Sequence, residues 1–387
     1  MPANTVVDAN RDRHWMQRAL QLAASGEGYA EPNPMVGCVL VKDGHRIGEG
    51  YHKRFGGPHA EVEALRSLPS IADAESATAY VTLEPCCHFG KTPPCSQALI
   101  DAKVSRVVIA MQDPFPKVDG GGLKALRDHG IEITVGVLRD EAEQLNAPYL
   151  KRVLKGLPWT IAKWAMTIDG RVATVGGESQ WISGPQSRVH VHRLRARVDA
   201  ILAGMGTVLA DDPMLNARLV DDDGKPLTPP RVANRLIFSR GRLPPRDSKL
   251  VCTAKEIPTF LFTSPFVDPD ERAWLEQAGL VCDAENDSIE GVLRKCADGL
   301  HGHRPATNVM VEGGPNLMAS LIGSQPEDCL IDEIHAYLGP KIFGGATAPG
   351  PILGSGIESL AVAPQFRLIM IDKFDDDARL IYRRQSE

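Results

Sequence analysis

Residues 79–102 read AYVTLEPCCHFGKTPPCSQALIDA, and this stretch decides the fold of the first half of the chain. AYVTLE has the β-branched and aromatic content of a buried strand. Pro93 and Pro94 suit a helix N-terminus, where a missing N–H costs nothing, so PPCSQALIDA reads as a helix. A strand therefore enters, and a helix leaves, a loop that carries Cys86, Cys87, His88, Lys91 and Cys95. Outward from this stretch the pattern repeats. MVGCVLV and RIGEGYH flank Lys42-Asp43-Gly44-His45, whose Asp-Gly pair predicts a hairpin turn. Trp15, Met16, Ala19, Leu20 and Ala23 recur at helical spacing, and HAEVEALRSL predicts a second helix. Downstream come a strand, RVVIAM, a helix, GLKALRDHG, and a strand, IEITVGV. Strands alternating with helices imply a three-layer α/β domain over residues 1–148.

DEAEQLNAPYLKRVLKGLP predicts a helical connector that ends near 156–158, with residues 149–158 leading into a second α/β domain over 149–387. Its expected strands are WTIAKWAM, VDAILAG, NRLIFS, TFLFTS, TNVMVE, IDEIHAYL, QFRLIMI and ARLIYRR. Helices are expected near 185–197, 269–278, 288–299 and 316–323, and DDDGKPLTPP reads as a surface loop.

The chain of 387 residues is long enough for two or three cores. A net charge of −6 offers no general attraction to nucleic acid or acidic membranes. The N-terminus lacks a signal-peptide apolar run, and no apolar stretch reaches the length of a membrane span. Eight cysteines spread over such a length do not resemble a secreted disulfide scaffold, so a reducing cytoplasmic setting is expected. In that setting a local cysteine cluster reads as metal-binding or catalytic.

PHAEV adds His59 and Glu61 to Cys86 and Cys95. The candidate ligands fall at predicted helix N-termini or just after a strand, and helix N-termini favour thiolate over thiol. One histidine and two thiolates leave the fourth position of a tetrahedral zinc open for water. The metal lowers the pKa of that water from about 16 to about 7, on the order of 12 kcal/mol. Glu61 lies two residues after His59, about 200° around an ideal helix, which places it poorly as a ligand and well as a proton shuttle. Zinc nucleobase deaminases pair H-x-E with P-C-x-x-C in this way, and here the second half is stretched to Pro85-Cys86 and Cys95. A closed structural zinc site would need a fourth ligand, nominally Cys87 or His88. Two neighbouring cysteines rarely both reach one metal, so Cys87 is read as a bystander. Cys38, on an apolar strand, is read as core.

The motifs extend further. PNPMVGCVLVKDG, GEGYH, PHAEVEAL, AYVTLEPC, GKTPPC and VVIAMQDP occur in order, followed by AMTIDGRVAT, GESQWISGP, TVLADDPMLNAR and VEGGPNL. Together they resemble the bifunctional deaminase/reductase family of riboflavin biosynthesis over nearly the whole chain. The resemblance implies a cytidine-deaminase-like three-layer α/β domain followed by a dihydrofolate-reductase-like α/β domain. It implies zinc-dependent loss of an amino group from a phosphoribosylaminopyrimidine, then NADPH-dependent opening of the ribosyl group to ribityl. It also implies one zinc ion per chain, bound by His59, Cys86 and Cys95 with Glu61 catalytic, and dimers or tetramers. Asn33, His52 and Lys91 match deaminase substrate positions. Ala165, Trp181, Thr207, Asp211, Ser239 and Gly314, Pro315, Asn316 and Leu317 match the NADPH site. Ser179, Arg195, Leu215, Arg218 and Glu312 match reductase substrate positions. The chain departs from the family pattern at Cys87, where serine is frequent, and at Phe115, where asparagine is common.

Read on its own residues, VEGGPNLMASL is a strand, a glycine turn and a helix, a geometry that lets backbone N–H groups meet a phosphate. It is not the spaced G-x-G-x-x-G of a Rossmann unit. AGMGTVLADDP offers a second such approach. Lys163 and Asp199 are further candidates for proton delivery, whereas Arg193 and Arg197 read as a solvated helix face. Three rival readings are a zinc deaminase of a nucleoside or RNA base with an unrelated oxidoreductase appended, a structural zinc module without turnover, and a chain with one degenerate half. The acidic charge and the matched second half weigh against the first.

Overall fold

The computed structural model describes residues 3–87, 93–116, 118–221, 223–285, 288–323 and 325–385. They form two compact units, Met1–Gly156 and Leu157–Glu387. The division falls beyond the expected boundary at residue 148, for a visible reason. The Asn146 side chain exchanges hydrogen bonds of 2.8 and 3.0 Å with the Met35 backbone, and the Tyr149 hydroxyl donates to Asp113 at 2.9 Å. These bonds tie the connector to the first unit.

That unit runs α1 (Ala3–Ala24), β1 (Gly37–Lys42), β2 (His45–Tyr51), α2 (Ala60–Arg66), β3 (Thr78–Leu83), α3 (Cys95–Asp101), β4 (Arg106–Met111), α4 (Gly121–Asp128), β5 (Glu132–Val135), α5 (Arg139–Leu145) and α6 (Ala147–Lys155). Its sheet has the order β2-β1-β3-β4-β5; β1 is antiparallel to β2 and β3, while β3, β4 and β5 are parallel. Asp43 and Gly44 both take positive φ, as a two-residue hairpin turn demands. Along β1 the side chains alternate between two cores. Cys38 and Leu40 pack with Ala64, Leu99 and Leu126, whereas Val39 and Val41 pack with Met16, Ala19 and Ala142. Helices thus cover both sheet faces, giving the expected three layers.

The second unit contains β6 (Trp159–Thr167), α7 (Pro185–Arg195), β7 (Ala200–Gly204), α8 (Met205–Asp211), β8 (Leu219–Val220), β9 (Pro226–Leu227), β10 (Asn234–Phe238), α9 (Lys249–Cys252), β11 (Thr259–Phe262), α10 (Pro269–Ala278), β12 (Leu280–Asp283), α11 (Ile289–Asp298), β13 (Asn308–Val311), α12 (Pro315–Ala319), β14 (Glu333–Gly339), β15 (Phe366–Phe374) and β16 (Asp377–Arg384). Nine strands share one sheet in the order β12-β11-β10-β7-β13-β6-β14-β16-β15. All run parallel from β12 to β14, and β16 and β15 add an antiparallel ribbon. Leu202 and Leu236 face one core and Ile201 and Ile237 the other, which is why these strands read as unbroken apolar runs. The sequence reading missed β12, a four-residue run with a terminal aspartate, and the short helices α8 and α9. Helix α12 is shorter than the expected 316–323: Ser320 caps it, and Gly323 takes φ +71. The acidic loop is exposed as expected, with β8 and β9 forming a two-residue ladder inside it.

The order of this sheet creates its functional edge. From β6 the chain moves outward through β7, β10, β11 and β12, then returns to insert β13 beside β6. Ligands of open α/β sheets bind at the carboxyl ends of strands where the winding reverses.

Candidate metal centre and a second candidate site

His59 precedes α2 with extended backbone (φ −77, ψ 166), Cys95 opens α3, and Cys86 lies just beyond β3. His59 Nδ1 lies 3.1 Å from Cys95 Sγ and 3.6 Å from Cys86 Sγ. All three donor atoms fall within 4.8 Å of one another, the one such group among the described residues. A tetrahedral zinc with ordinary bond lengths separates its N and S donors by about 3.5 to 3.8 Å. Soft thiolates with one imidazole are zinc chemistry, so the residues fit the ion. The Cys95 backbone N–H points at Cys86 Sγ across 3.3 Å. A hydrogen bond from the Cys95 thiol, with further help from His59, lowers Cys86 against its burial and raises Cys95 in turn.

Glu61 is not among the converging donors, and it is buried. Burial, reinforced by the Cys86 charge, raises its carboxyl to about 7, the range in which a group both accepts and returns protons. His52 Nδ1 meets the Pro58 carbonyl at 2.9 Å, so that nitrogen carries the proton and Nε2 accepts from Asn33 Nδ2 at 3.1 Å. Burial lowers the His52 pKa, which favours the neutral ring. Its ring stands edge-on to His59 at 5.3 Å, which brings Asn33 and His52 to the metal centre. Cys87 turns away, its Sγ 3.8 Å from the Val118 carbonyl. Lys91 and His88 lie outside the described residues. At the departure from the family pattern, the Phe115 N–H donates to the Asp113 side chain at Oδ1 across 3.0 Å, a turn contact that uses only the main chain of residue 115.

In the second unit, Glu312 follows β13 and accepts both Nε and Nη2 of Arg195 on α7, the latter at 2.7 Å. Lys163 Nζ on β6 stands 3.6 Å from the same carboxylate. Burial opposes ionisation of Glu312, but Arg195 and Lys163 outweigh it and hold the carboxyl at about 2. Arg218 joins this corner through Asn216 Oδ1 at 2.9 Å, and its backbone N–H donates to His192 Nδ1 at 3.2 Å. Leu215 is buried at φ +44, so only its backbone can face a ligand. Thr207 Oγ1 accepts from Gly314 N at 3.0 Å and joins the turn after β7 to the turn after β13. A Cβ on Gly313 would fall 2.4 Å from Leu317 Cδ2, so any larger residue there would push the Leu317 side chain out of its place in the close turn that starts α12. Pro315 and Asn316 form its first turn, and the Leu317 side chain is core. Ser239 follows β10, with its hydroxyl donating to the Arg242 carbonyl. Asp211 accepts from Gln180 at 3.3 Å, and the exposed Trp181 ring lies under the Arg188 guanidinium at 4.5 Å. Ala165 lies near the carboxyl end of β6, and Ser179 is half-buried in the segment that follows. The matched residues thus line the carboxyl edge of consecutive strands.

Asp199 is not at this edge. It precedes β7 at the opposite end, pairs with Arg231, and accepts the Thr307 and Asn308 N–H groups at 2.8 and 2.9 Å. Its carboxylate is spent on holding strand starts together. Two features escaped the sequence reading. Tyr337 is fully buried, with its ring 5.8 Å from Lys163 Nζ and its hydroxyl 2.7 Å from His190 Nδ1. The polar alternation Glu333, His335, Tyr337 within IDEIHAYL was the signal that marked it. Glu84, inside the TLEPC motif, is the other, and its buried carboxylate binds main-chain N–H groups.

Residues 9–111 match the model of the cytidine and deoxycytidylate deaminase zinc-binding region, and residues 158–380 match that of the RibD C-terminal domain. The chain belongs to the RibD family. The curated riboflavin biosynthesis protein RibD of Escherichia coli (strain K12) is 43% identical over 367 residues, 92% of this chain and 95% of the relative. That of Actinobacillus pleuropneumoniae is 38% identical over 379 residues, covering 96% and 95%. Among solved structures, Acinetobacter baumannii RibD, form 1, is similar at a TM-score of 0.83 and 36% identity, covering 98% of this chain and 100% of that one. A diaminohydroxyphosphoribosylaminopyrimidine deaminase/5-amino-6-(5-phosphoribosylamino)uracil reductase from Thermotoga maritima gives 0.80 and 34%, with the same coverage. As a RibD family member, the chain is a bifunctional deaminase and reductase of riboflavin biosynthesis, with a zinc-binding deaminase domain first and a reductase domain second.

Proposed function

We propose that the first unit deaminates 2,5-diamino-6-(5-phosphoribosylamino)pyrimidin-4-one with one zinc ion per chain, and that the second reduces the ribosyl group of the product to ribityl with NADPH. The convergence of His59 Nδ1 with the two sulfurs, next to a buried Glu61, carries this reading. When bound, zinc supplies the Lewis acidity that lets a water ionise near neutral pH. Glu61 moves protons at its carboxylate, from the attacking water to the departing amino nitrogen. Asn33 and His52, locked in one tautomer, and Lys91 contact the pyrimidine substrate. NADPH supplies a hydride to the second reaction. Ala165, Trp181, Thr207, Asp211, Ser239 and residues 314–317 hold the nucleotide. Ser179, Leu215, Arg195, Arg218 and Glu312 hold the sugar phosphate. The Arg195 fork is engaged by Glu312, which supports the exposed Arg218 as the partner of the phosphate. Arg240 and Arg242, exposed beside Ser239, favour NADPH over NADH, and equal catalytic efficiency with both would refute that preference.

The substrate is a small molecule, with neither nucleic acid nor membrane as partner. We place its work in the cytoplasm, a reading that its free cysteines support; no described helix is long and apolar enough to cross a membrane. It assembles as a homo-oligomer, a dimer or tetramer. Strand β15 supports this, since it ends the sheet and exposes Leu368, Ile369, Met370 and Ile371. The same strand of a second copy would cover that edge. The decisive experiment supplies the pyrimidine with and without NADPH and follows ammonia and NADPH oxidation separately. Ammonia appears without cofactor, and oxidation follows only after deamination. Oxidation of NADPH before any ammonia is released would reverse the assigned order.

A further inference from the structure

The TLEPC motif supplies Cys86 to the metal centre and leaves its glutamate unassigned. Glu84 is buried, and its carboxylate accepts four main-chain N–H groups: Asp113 at 3.4 Å, Gly120 at 3.1 Å, Gly122 at 2.9 Å and Leu123 at 3.1 Å. These belong to the loop after β4 and to the first turn of α4, whose N–H groups have no partner within the helix. The helix start thereby presses on the chain between Glu84 and Cys86. A Cβ on Gly122 would fall 1.9 Å from the Pro85 carbonyl oxygen, and one on Gly121 would fall 2.6 Å from Cys87 Sγ. From the other side, Ser96 donates its N–H and its hydroxyl to the Cys86 carbonyl, at 3.2 and 3.0 Å. Ser96 follows Cys95 directly, and the Cys95 N–H reaches Cys86 Sγ. The Cys86 main chain is therefore held between two helix starts, one carrying the other thiolate and one gripped by Glu84.

We propose that Glu84 is a positioning residue of the metal centre: by seating the start of α4 against Pro85 it fixes where Cys86 Sγ stands relative to Cys95 and His59. The proposal rests on the assignment of those three residues as zinc ligands. A charged carboxylate suits the task, because its two oxygens receive all four N–H groups, whereas an amide would set its own NH₂ against some of them. Glu84 touches neither metal nor substrate in this role. It acts on ligand geometry, as the outer partners of metal ligands do.

The test measures zinc affinity by chelator competition in the full chain, together with the thiolate-to-cobalt absorption of the cobalt(II)-loaded protein. Glu84→Gln is expected to bind zinc about 10- to 100-fold more weakly, with an altered cobalt band. NADPH oxidation with already deaminated substrate should stay at the wild-type rate, which reports that the reductase domain is folded. Zinc affinity within about twofold of wild type, with only a lower unfolding midpoint, would reduce Glu84 to a loop anchor and overturn the proposal. Should Glu84→Gln fail to fold, Glu84→Asp keeps the charge and withdraws the oxygens by one methylene. Wild-type zinc affinity in that variant overturns the proposal equally. Wild-type zinc stoichiometry, and its loss in Cys86→Ser, test the ligand assignment independently of Glu84.

Discussion

The two candidate sites of this chain solve the same problem, holding charge away from bulk water, with different materials. The candidate metal centre draws its donors from His59, Cys86 and Cys95, with Glu61 beside them, and its polar support is largely main chain: Pro58, the Cys95 N–H and the N–H groups around Glu84. The second candidate site gathers Lys163, Arg195, Arg218, Glu312 and Tyr337 from distant positions, and its support runs side chain against side chain, ionic at the Glu312 carboxylate. A soft-ligand cluster is chemically distinctive by itself. A buried ion network is not, because either partner alone looks like a surface charge, and removing one partner leaves the others buried and unpaired.

That contrast can be broken at either end. The largest expected effect is on the metal side: chelation of zinc should abolish ammonia release while NADPH oxidation on deaminated substrate persists. Loss of both together would show that the two units do not act separately. Glu61→Gln should keep zinc and lower ammonia release by about a hundred- to ten-thousand-fold, the range of a lost proton shuttle; metal content and turnover measured on one sample check this.

On the ionic side, Glu312→Gln should halt reduction and destabilise the second unit by about 3 to 5 kcal/mol, since Arg195 and Lys163 keep their burial without the carboxylate. The same network sets a pH dependence. With Glu312 held at about 2 when folded, and about 4.3 when unfolded, its stabilisation is complete above about pH 5 and fades as pH falls toward 2. Acid unfolding followed in both proteins should show this slope in the wild type and a flatter one in Glu312→Gln. The smallest expected effect is Cys87→Ser, with zinc affinity and ammonia release within about twofold of wild type. A large zinc loss there would bring Cys87 into the ligand set.

Most of the fold was legible because hydrophobic period reports burial directly. β1 alternates between two cores, and β7 and β10 are apolar on both faces, so each reads correctly without neighbours. β12 did not, since LVCD is too short and too polar to register. The metal cluster was legible because few roles other than metal binding suit that set of residue types at that spacing. Asp199 misled, because an aspartate at a strand start looks the same whether it delivers a proton or caps the sheet. Only its bonds to Thr307, Asn308 and Arg231 tell the two apart.

The sequence by itself determined two α/β halves and picked out three candidate metal donors with a glutamate beside them, because these depend on local period and on the chemistry of residue type. Tertiary structure decided that Cys87 faces α4, that Arg195 is engaged by Glu312, and that Tyr337 lies against Lys163. It also decided that Glu84 gathers main-chain N–H groups nearly forty residues away along the chain. Each of these is a contact between segments remote in sequence, where direction and burial, rather than residue type, select the partner.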